Sequence, residues 1–252
     1  MKAVLKYPGA KWRISEWIIS HFPEHKVYCE PFFGSGAVFF NKSPAYIETI
    51  NDIDGNIVNL FKVCRDNPEE LARLIEFTPF AREEFENCYD KSDDPIEQAR
   101  RTLVRYHQSF GTSNSSKKSW RNVQTYGGPR TATMWNYLPG RISEICARLK
   151  EAQIENIDAI ELIRRYNDEN TLLYCDPPYL QSLRKKNMYS CELSEEYHIN
   201  LLSVLKESKS KIVLSGYDSQ LYNSMLSGWN TDEKQTTAQM GKHRVEKIWF
   251  NF

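Results

Sequence analysis

A parallel α/β fold is predicted for this chain of 252 residues, and three features predict it. A short apolar strand runs into a glycine-rich turn between residues 27 and 36. A second strand with its own helix follows at 46–55, and strand and helix alternate again after residue 150. Strands separated by helices or long crossovers pair in parallel and bury both faces of the sheet.

Taken in order, Val27-Tyr28-Cys29-Glu30 reads as a buried strand entering Pro31-Phe32-Phe33-Gly34-Ser35-Gly36, and Ala37-Val38-Phe39-Phe40 reads as the start of a helix. Tyr46-Ile47-Glu48-Thr49-Ile50 is the second strand, leading through Asn51-Asp52-Ile53-Asp54 to a helix beginning near Gly55. After Asn67-Pro68 the pattern is helical without strands. A polar tract at 111–122 then closes on Tyr126-Gly127-Gly128-Pro129, and the whole stretch reads as an insertion. The α/β pattern resumes near Gln153-Ile154-Glu155, and Thr171-Leu172-Leu173-Tyr174-Cys175 is a buried strand ending in Asp176-Pro177-Pro178-Tyr179. Ser194 before Glu195 and Glu196 reads as a helix cap, and Tyr197, Leu201, Leu202 and Leu205 share one apolar face. Lys211-Ile212-Val213-Leu214-Ser215 is another strand. The alternating 244–250 segment reads as a half-exposed, antiparallel one.

Composition bounds the function from several sides. No stretch is apolar and long enough to span a bilayer, and residues 1–6 lack the apolar core of a signal peptide, so a cytoplasmic location is expected. The six cysteines form no CxxC pair and have no histidine at ligand spacing, which indicates neither a zinc site nor a disulfide framework. No metal is expected. Net charge is zero, yet the charges segregate. Residues 66–97 are mostly acidic, whereas 100–149 hold Arg100, Arg101, Arg105, Lys117, Lys118, Arg121, Arg130, Arg141 and Arg148 against the single carboxylate Glu144. A segregated basic face is expected of a polyanion binder, although any one of these cations also suits a solvated helix face.

Two turns carry the chemistry. Gly34 and Gly36 stand where open α/β sheets bind cofactors and where the backbone must approach a ligand closely. The third glycine of a GxGxxG fingerprint is replaced by Phe39, which disfavours a dinucleotide. At the end of the second strand, Asp52 or Asp54 suits ribose hydroxyls, and Asp54 equally suits a helix cap. The second turn, Asp176-Pro177-Pro178-Tyr179, is stiff because neither proline has an N–H, and its carbonyls are free to accept hydrogen bonds. Such a turn suits an amine. The N6 amine of adenine is a poor nucleophile because its lone pair is delocalised into the ring. Accepting its two protons at the Asp176 carboxylate and the Pro177 carbonyl localises electron density on nitrogen, with Tyr179 stacked on the base.

The Asp-Pro-Pro-Tyr tetrapeptide and the Phe-Gly-Ser-Gly turn resemble motifs of the Dam-like, alpha-class DNA adenine-N6 methyltransferases. Tyr7-Pro8-Gly9-Ala10-Lys11 stands where that family opens with an aromatic residue, a glycine turn and lysine, with Tyr7 in place of the usual tryptophan. The order of cofactor turn, insert and Asp-Pro-Pro-Tyr also agrees.

The resemblance implies a Rossmann-like methyltransferase sheet of seven mostly parallel strands, with residues 1–61 and 151–252 forming the catalytic domain. A mainly helical target-recognition insert would occupy 62–150. It implies S-adenosyl-L-methionine as cofactor, held by Tyr7, Lys11, Phe33, Gly34, Gly36, Asp52, Asp158 and Asp176, and catalysis at Asp176, Pro177, Pro178 and Tyr179. Double-stranded DNA is the implied partner of a bacterial or phage-encoded protein, with or without a cognate restriction endonuclease. Arg100, Arg101, Arg105, Lys117, Lys118, Arg121 and Arg130 are the DNA-binding candidates. Base flipping calls for a side chain to fill the gap, with Phe110, Trp120 and Tyr126 as candidates, at least one of them more plausibly a packing residue. The Asp rather than Ser or Asn before Pro-Pro-Tyr favours adenine over cytosine N4. RNA or protein-glutamine methylation, an idle DNA-binding module and a nicotinamide oxidoreductase are the competing readings.

Overall fold

A computed structural model describes residues 1–110, 119–124, 126, 130–180, 192–237 and 243–252. Lys117 and Lys118 lie outside the described residues. The chain runs α1 (Ser15–Ile19), β1 (Val27–Glu30), β2 (Ile47–Asn51), α2 (Gly55–Asp66), α3 (Pro68–Phe77), α4 (Arg82–Asn87), α5 (Pro95–Gln108), α6 (Thr131–Trp135) and α7 (Leu138–Lys150). It continues through β3 (Gln153–Glu155), α8 (Ala159–Arg165), β4 (Thr171–Cys175), α9 (Glu195–Glu207), β5 (Lys211–Gly216), α10 (Gln220–Met225), β6 (Asn230–Thr237) and β7 (His243–Phe250).

The strands form one seven-stranded sheet in the order β3-β2-β1-β4-β5-β7-β6. The first five are parallel, and β7 pairs antiparallel with β5 and β6. This matches the predicted class. Strand order reverses between β1 and β4, which opens a crevice at the carboxyl ends of the strands.

Side chains on β4 show how the sheet is covered. Leu172 and Tyr174 point into one apolar cluster, Leu173 and Cys175 into another, as the period of two requires. The second cluster is closed by Ile160, Leu162 and Ile163 of α8 and by Leu201, Leu202 and Leu205 of α9. The first joins sheet residues Tyr28, Ile50 and Val213 to Leu71 and Ile75 of α3, Leu103 of α5 and Ile142 of α7. Helices from the 62–150 stretch therefore share a core with the sheet.

Two elements differ from expectation. Residues 37–40 form turns rather than a named helix: Phe40 N–H bonds the Gly36 carbonyl and Lys42 N–H that of Val38, and the winding then stops. Pro44 disfavours helical geometry at the residue before it and halts the turn. Strand β6 had no sequence signal because Asn230, Thr231, Asp232, Glu233, Lys234 and Gln235 are all polar. It is a charged edge strand that owes its conformation to pairing with β7, a composition that also discourages pairing with other chains.

Candidate active site

The carboxyl ends of β1, β2 and β4 meet in a cleft that is open to solvent on one side. Tyr7, Lys11, Glu30, Phe33, Gly34, Asp52, Asp54, Asp176 and Pro178 all contribute to its wall. Each acid follows or ends a parallel strand.

The glycine turn is built for close approach. Gly34 has φ of 52°, and a Cβ there would lie 3.0 Å from the Tyr7 ring, so the aromatic residue of the opening motif seats directly on it. Gly36 has φ of 67°, and its Cβ would come 2.4 Å from Phe33 and 2.6 Å from Phe40. Only glycine suits both positions. Asp52 braces the turn from β2, one carboxylate oxygen accepting from Gly34 N–H at 2.8 Å and the other from Asp54 N–H at 2.9 Å. Burial lifts its carboxyl group to a pKa of about 6, against the lowering effect of those backbone donors.

Across the cleft, Asp176 is held from both sides. Lys11 Nζ lies 2.8 Å from its Oδ2, and Ser215 Oγ donates to its Oδ1 at 2.7 Å. Lys11 is itself anchored on the Gly9 carbonyl at 2.8 Å. The carboxylate keeps further lone pairs, so it can still accept from an amine. Glu30, at the end of β1, was not among the sequence candidates. It is 2 % exposed, accepts from Tyr28 OH at 2.6 Å, and burial together with the nearby Asp176 raises its pKa to about 8. An acid ending an otherwise apolar strand was the available signal.

Comparison with known proteins agrees with this geometry. The family model of D12 class N6 adenine-specific DNA methyltransferases matches residues 7–240. The chain belongs to that family. Its relatives include the DNA adenine methylase of Haemophilus influenzae, 25% identical over 89% of this chain and 82% of the relative. The DNA adenine methylase of Escherichia coli K12 is 25% identical over 98% and 87%. A type II methyltransferase, M1.LlaDCHI of Lactococcus lactis subsp. cremoris, is 25% identical over 96% and 90%. The protein is thus an adenine-specific DNA methyltransferase.

Not every anticipated residue of this D12-class methyltransferase faces the cleft. Asp158 caps α8, accepting from Ile160 N–H at 2.9 Å and Glu161 N–H at 3.2 Å, and its other oxygen accepts from Tyr197 OH at 2.8 Å. It stands outside the cleft wall. Asp54 is a wall residue that also caps α2 through Asn56 N–H. Tyr179 is 6 % exposed: its hydroxyl donates to Glu246 at 2.7 Å, Tyr217 packs edge-on at 4.4 Å, and Lys11 lies 4.8 Å from the ring centre. Pro178 lines the cleft, while Pro177 supplies only its position in the turn.

The basic candidates also divide. Arg100 donates to Glu97, Glu84 and Thr78, and Arg101 to Glu97 and the Asp90 carbonyl. Both guanidiniums therefore tie insert helices together, which leaves little charge for phosphates. Arg105 lies over the Tyr89 ring at 5.0 Å. Arg130 is exposed just before α6, and Arg121 is half-buried. Trp120 packs on Phe80 under Arg82, whereas Phe110 and Tyr126 are exposed.

Proposed function

We propose that this cleft binds S-adenosylmethionine beside a flipped adenine, and that Asp176 accepts a proton of the N6 amine during methyl transfer. The observation that carries the reading is the two-point grip on Asp176, which lines the same cleft as the Gly34 turn and Asp52.

The residues present fit the cofactor. Tyr7, seated on the Gly34 turn, offers an aromatic ring at the cleft wall, and Asp52 and Asp54 offer carboxylate oxygens for ribose hydroxyls. Phe33 and Gly36 shape the turn from behind. When bound, the cofactor supplies an electrophilic methyl group. The protein's own contribution is alignment: Lys11 and Ser215 fix Asp176 so that the amine is held in line with the donor, and a carboxylate favours the positive charge that develops on nitrogen. Pro178 adds to the wall at the same turn, and Tyr179, buried behind it against Tyr217 and Glu246, supports the turn rather than presenting an open face to the base.

Residues 1–61 and 151–252 form the catalytic part, and 62–150 recognises double-stranded DNA through exposed Arg130, Phe110 and Tyr126 and the Lys117 and Lys118 segment. The enzyme acts in the bacterial cytoplasm, encoded by the bacterium or by a phage, with or without a partner endonuclease.

The test is to incubate the protein with labelled S-adenosylmethionine and plasmid DNA, map modified bases, and repeat with Asp176→Ala. Methyl transfer should fall by about 10³-fold or more, while the variant still binds cofactor and melts as the parent does. Near-parental activity in that variant would defeat the assignment.

A further inference from the structure

Several cations of the 62–150 stretch have carboxylate partners among the described residues. Arg100 pairs with Glu84 and Glu97, Arg101 with Glu97, and Arg148 with Glu48. Three cations outside this pattern come together from distant parts of the chain. Arg141 on α7 donates through Nη1 to the Ala3 carbonyl at 2.8 Å, which places it against the segment that carries Lys6. Its Nε is buried without a hydrogen-bond partner among the described residues. Arg121 is brought to the end of α5 by its own N–H, which donates to the Gln108 carbonyl at 2.7 Å, and His107 on the same turn bonds the Val4 carbonyl at 2.7 Å.

Lys6 is thus flanked by both arginines, and buried Val4 and Leu5 fix its backbone. Among the described residues no carboxylate forms an ion pair with any of the three. Residues 111–118, 125, 127–129, 181–191 and 238–242 include no Asp or Glu, so they offer no carboxylate either. Burial first, then the charges of Arg121 and Arg141, bring the Lys6 pKa down to about 8. The buried His107 feels the same three charges and falls to about 3, with burial the larger cause. A fold that holds like charges together, half-buried and uncompensated, is organised for an anion. Lys6 adjoins Tyr7, which walls the cleft, so the cluster stands one residue from the cleft wall along the chain.

We infer that Lys6, Arg121 and Arg141 form a seat for one phosphodiester group of the DNA backbone, next to the extruded adenine. The seat fixes the register of the strand against the cleft, as phosphate contacts do, and reads no base. This deepens the reading of the protein as a DNA-binding enzyme and rests on it.

Fluorescence anisotropy with a labelled duplex over a series of salt concentrations and pH values tests the seat, using the parent, Lys6→Met, Lys6→Arg and Arg121→Gln. Lys6→Met and Arg121→Gln should each bind several-fold more weakly, with the slope of log affinity against log salt smaller by about 1. Parent affinity should fall as pH rises past about 8, where Lys6 loses its proton, and Lys6→Arg should abolish that fall. Lys6→Met should also melt at a higher temperature, because a repulsion has been removed, which separates the effect from misfolding. Calorimetry with S-adenosylmethionine alone should give unchanged affinity in all variants. Parental duplex affinity and slope in Lys6→Met and Arg121→Gln would overturn the seat. Loss of cofactor rather than DNA affinity would overturn it too, assigning the cluster to the cofactor carboxylate. A parent that binds no duplex at all would instead overturn the DNA reading beneath it.

Discussion

Asp176 owes its place to local and distant sequence in unequal parts. The two prolines after it stiffen the turn, and both are adjacent in the chain, so this half of the site was legible. Ser215 was read only as the end of a strand. Its role arises because β4 and β5 pair with Cys175 opposite Leu214, which sets the next residue on each strand side by side. Glu30 was legible as an acid that ends an apolar strand just before the glycine turn, but its contact with the field of Asp176 depends on the pairing of β1 with β4. Ser215 is a positioning residue, and Ser215→Ala should lower kcat about tenfold while leaving KM for the cofactor nearly unchanged, with Ser215→Thr restoring most of the loss. Steady-state kinetics of the three proteins decides this. A rise in KM alone would reassign the hydroxyl to ligand binding.

Elements were easiest to foresee where burial and punctuation coincide. All five residues of β4 are buried, and α2 starts at Gly55 behind the Asp54 cap, as the sequence pattern indicates. Polar β6 and the abortive 37–40 turn depend on partners that lie far along the chain. Charge runs misled because Arg100 and Arg148 find carboxylates on other elements, and Arg101 finds Glu97 one turn back on its own helix. Glu48 on β2 is the clearest case. It is 2 % exposed, meets Lys42 Nζ at 2.5 Å and Arg148 Nη2 at 2.7 Å, and Arg148 also lies over the Phe39 ring at 3.9 Å. Burial pushes the Glu48 carboxyl group up, but the donors from Arg148 and Lys42 outweigh it and hold it below its ordinary value. Arg148→Met strips one partner from a buried carboxylate, so urea unfolding should show a loss of about 3–5 kcal/mol. A loss under about 1 kcal/mol would mean that α7 is held to β2 by its apolar face alone.

At the scale of the whole molecule, two acids give the fold an unusual response to pH. Glu30 titrates near 8 when folded, against 4.5 ordinarily, and Asp52 near 6, against 3.8. Both hold a proton in the folded state at pH values where the unfolded chain has released it. Their contribution is complete below about pH 4, declines as pH rises through 6 for Asp52 and through 8 for Glu30, and is then gone. The unfolding free energy should therefore decrease from pH 5 to pH 8.5, and Glu30→Gln should remove most of that decrease. Denaturant titrations across this range provide the check. Identical profiles for parent and Glu30→Gln would show that Glu30 is ionised in the folded protein.

The first seven residues are a strap. Ala3 is tied to Arg141 and Val4 to His107, both in the helical stretch, while Tyr7 lies on the Gly34 turn four residues later. If docking of a polyanion displaced α5 or α7, this short tether would carry the movement to the cleft wall, and occupancy of the two surfaces would then be coupled. Linkage makes the effect reciprocal: whatever factor duplex DNA imposes on the affinity for the small ligand, that ligand imposes on the affinity for DNA. Paired titrations, each ligand measured with and without saturating amounts of the other, should return the same factor, different from unity. A factor of one in both directions would show that the tether yields without pulling.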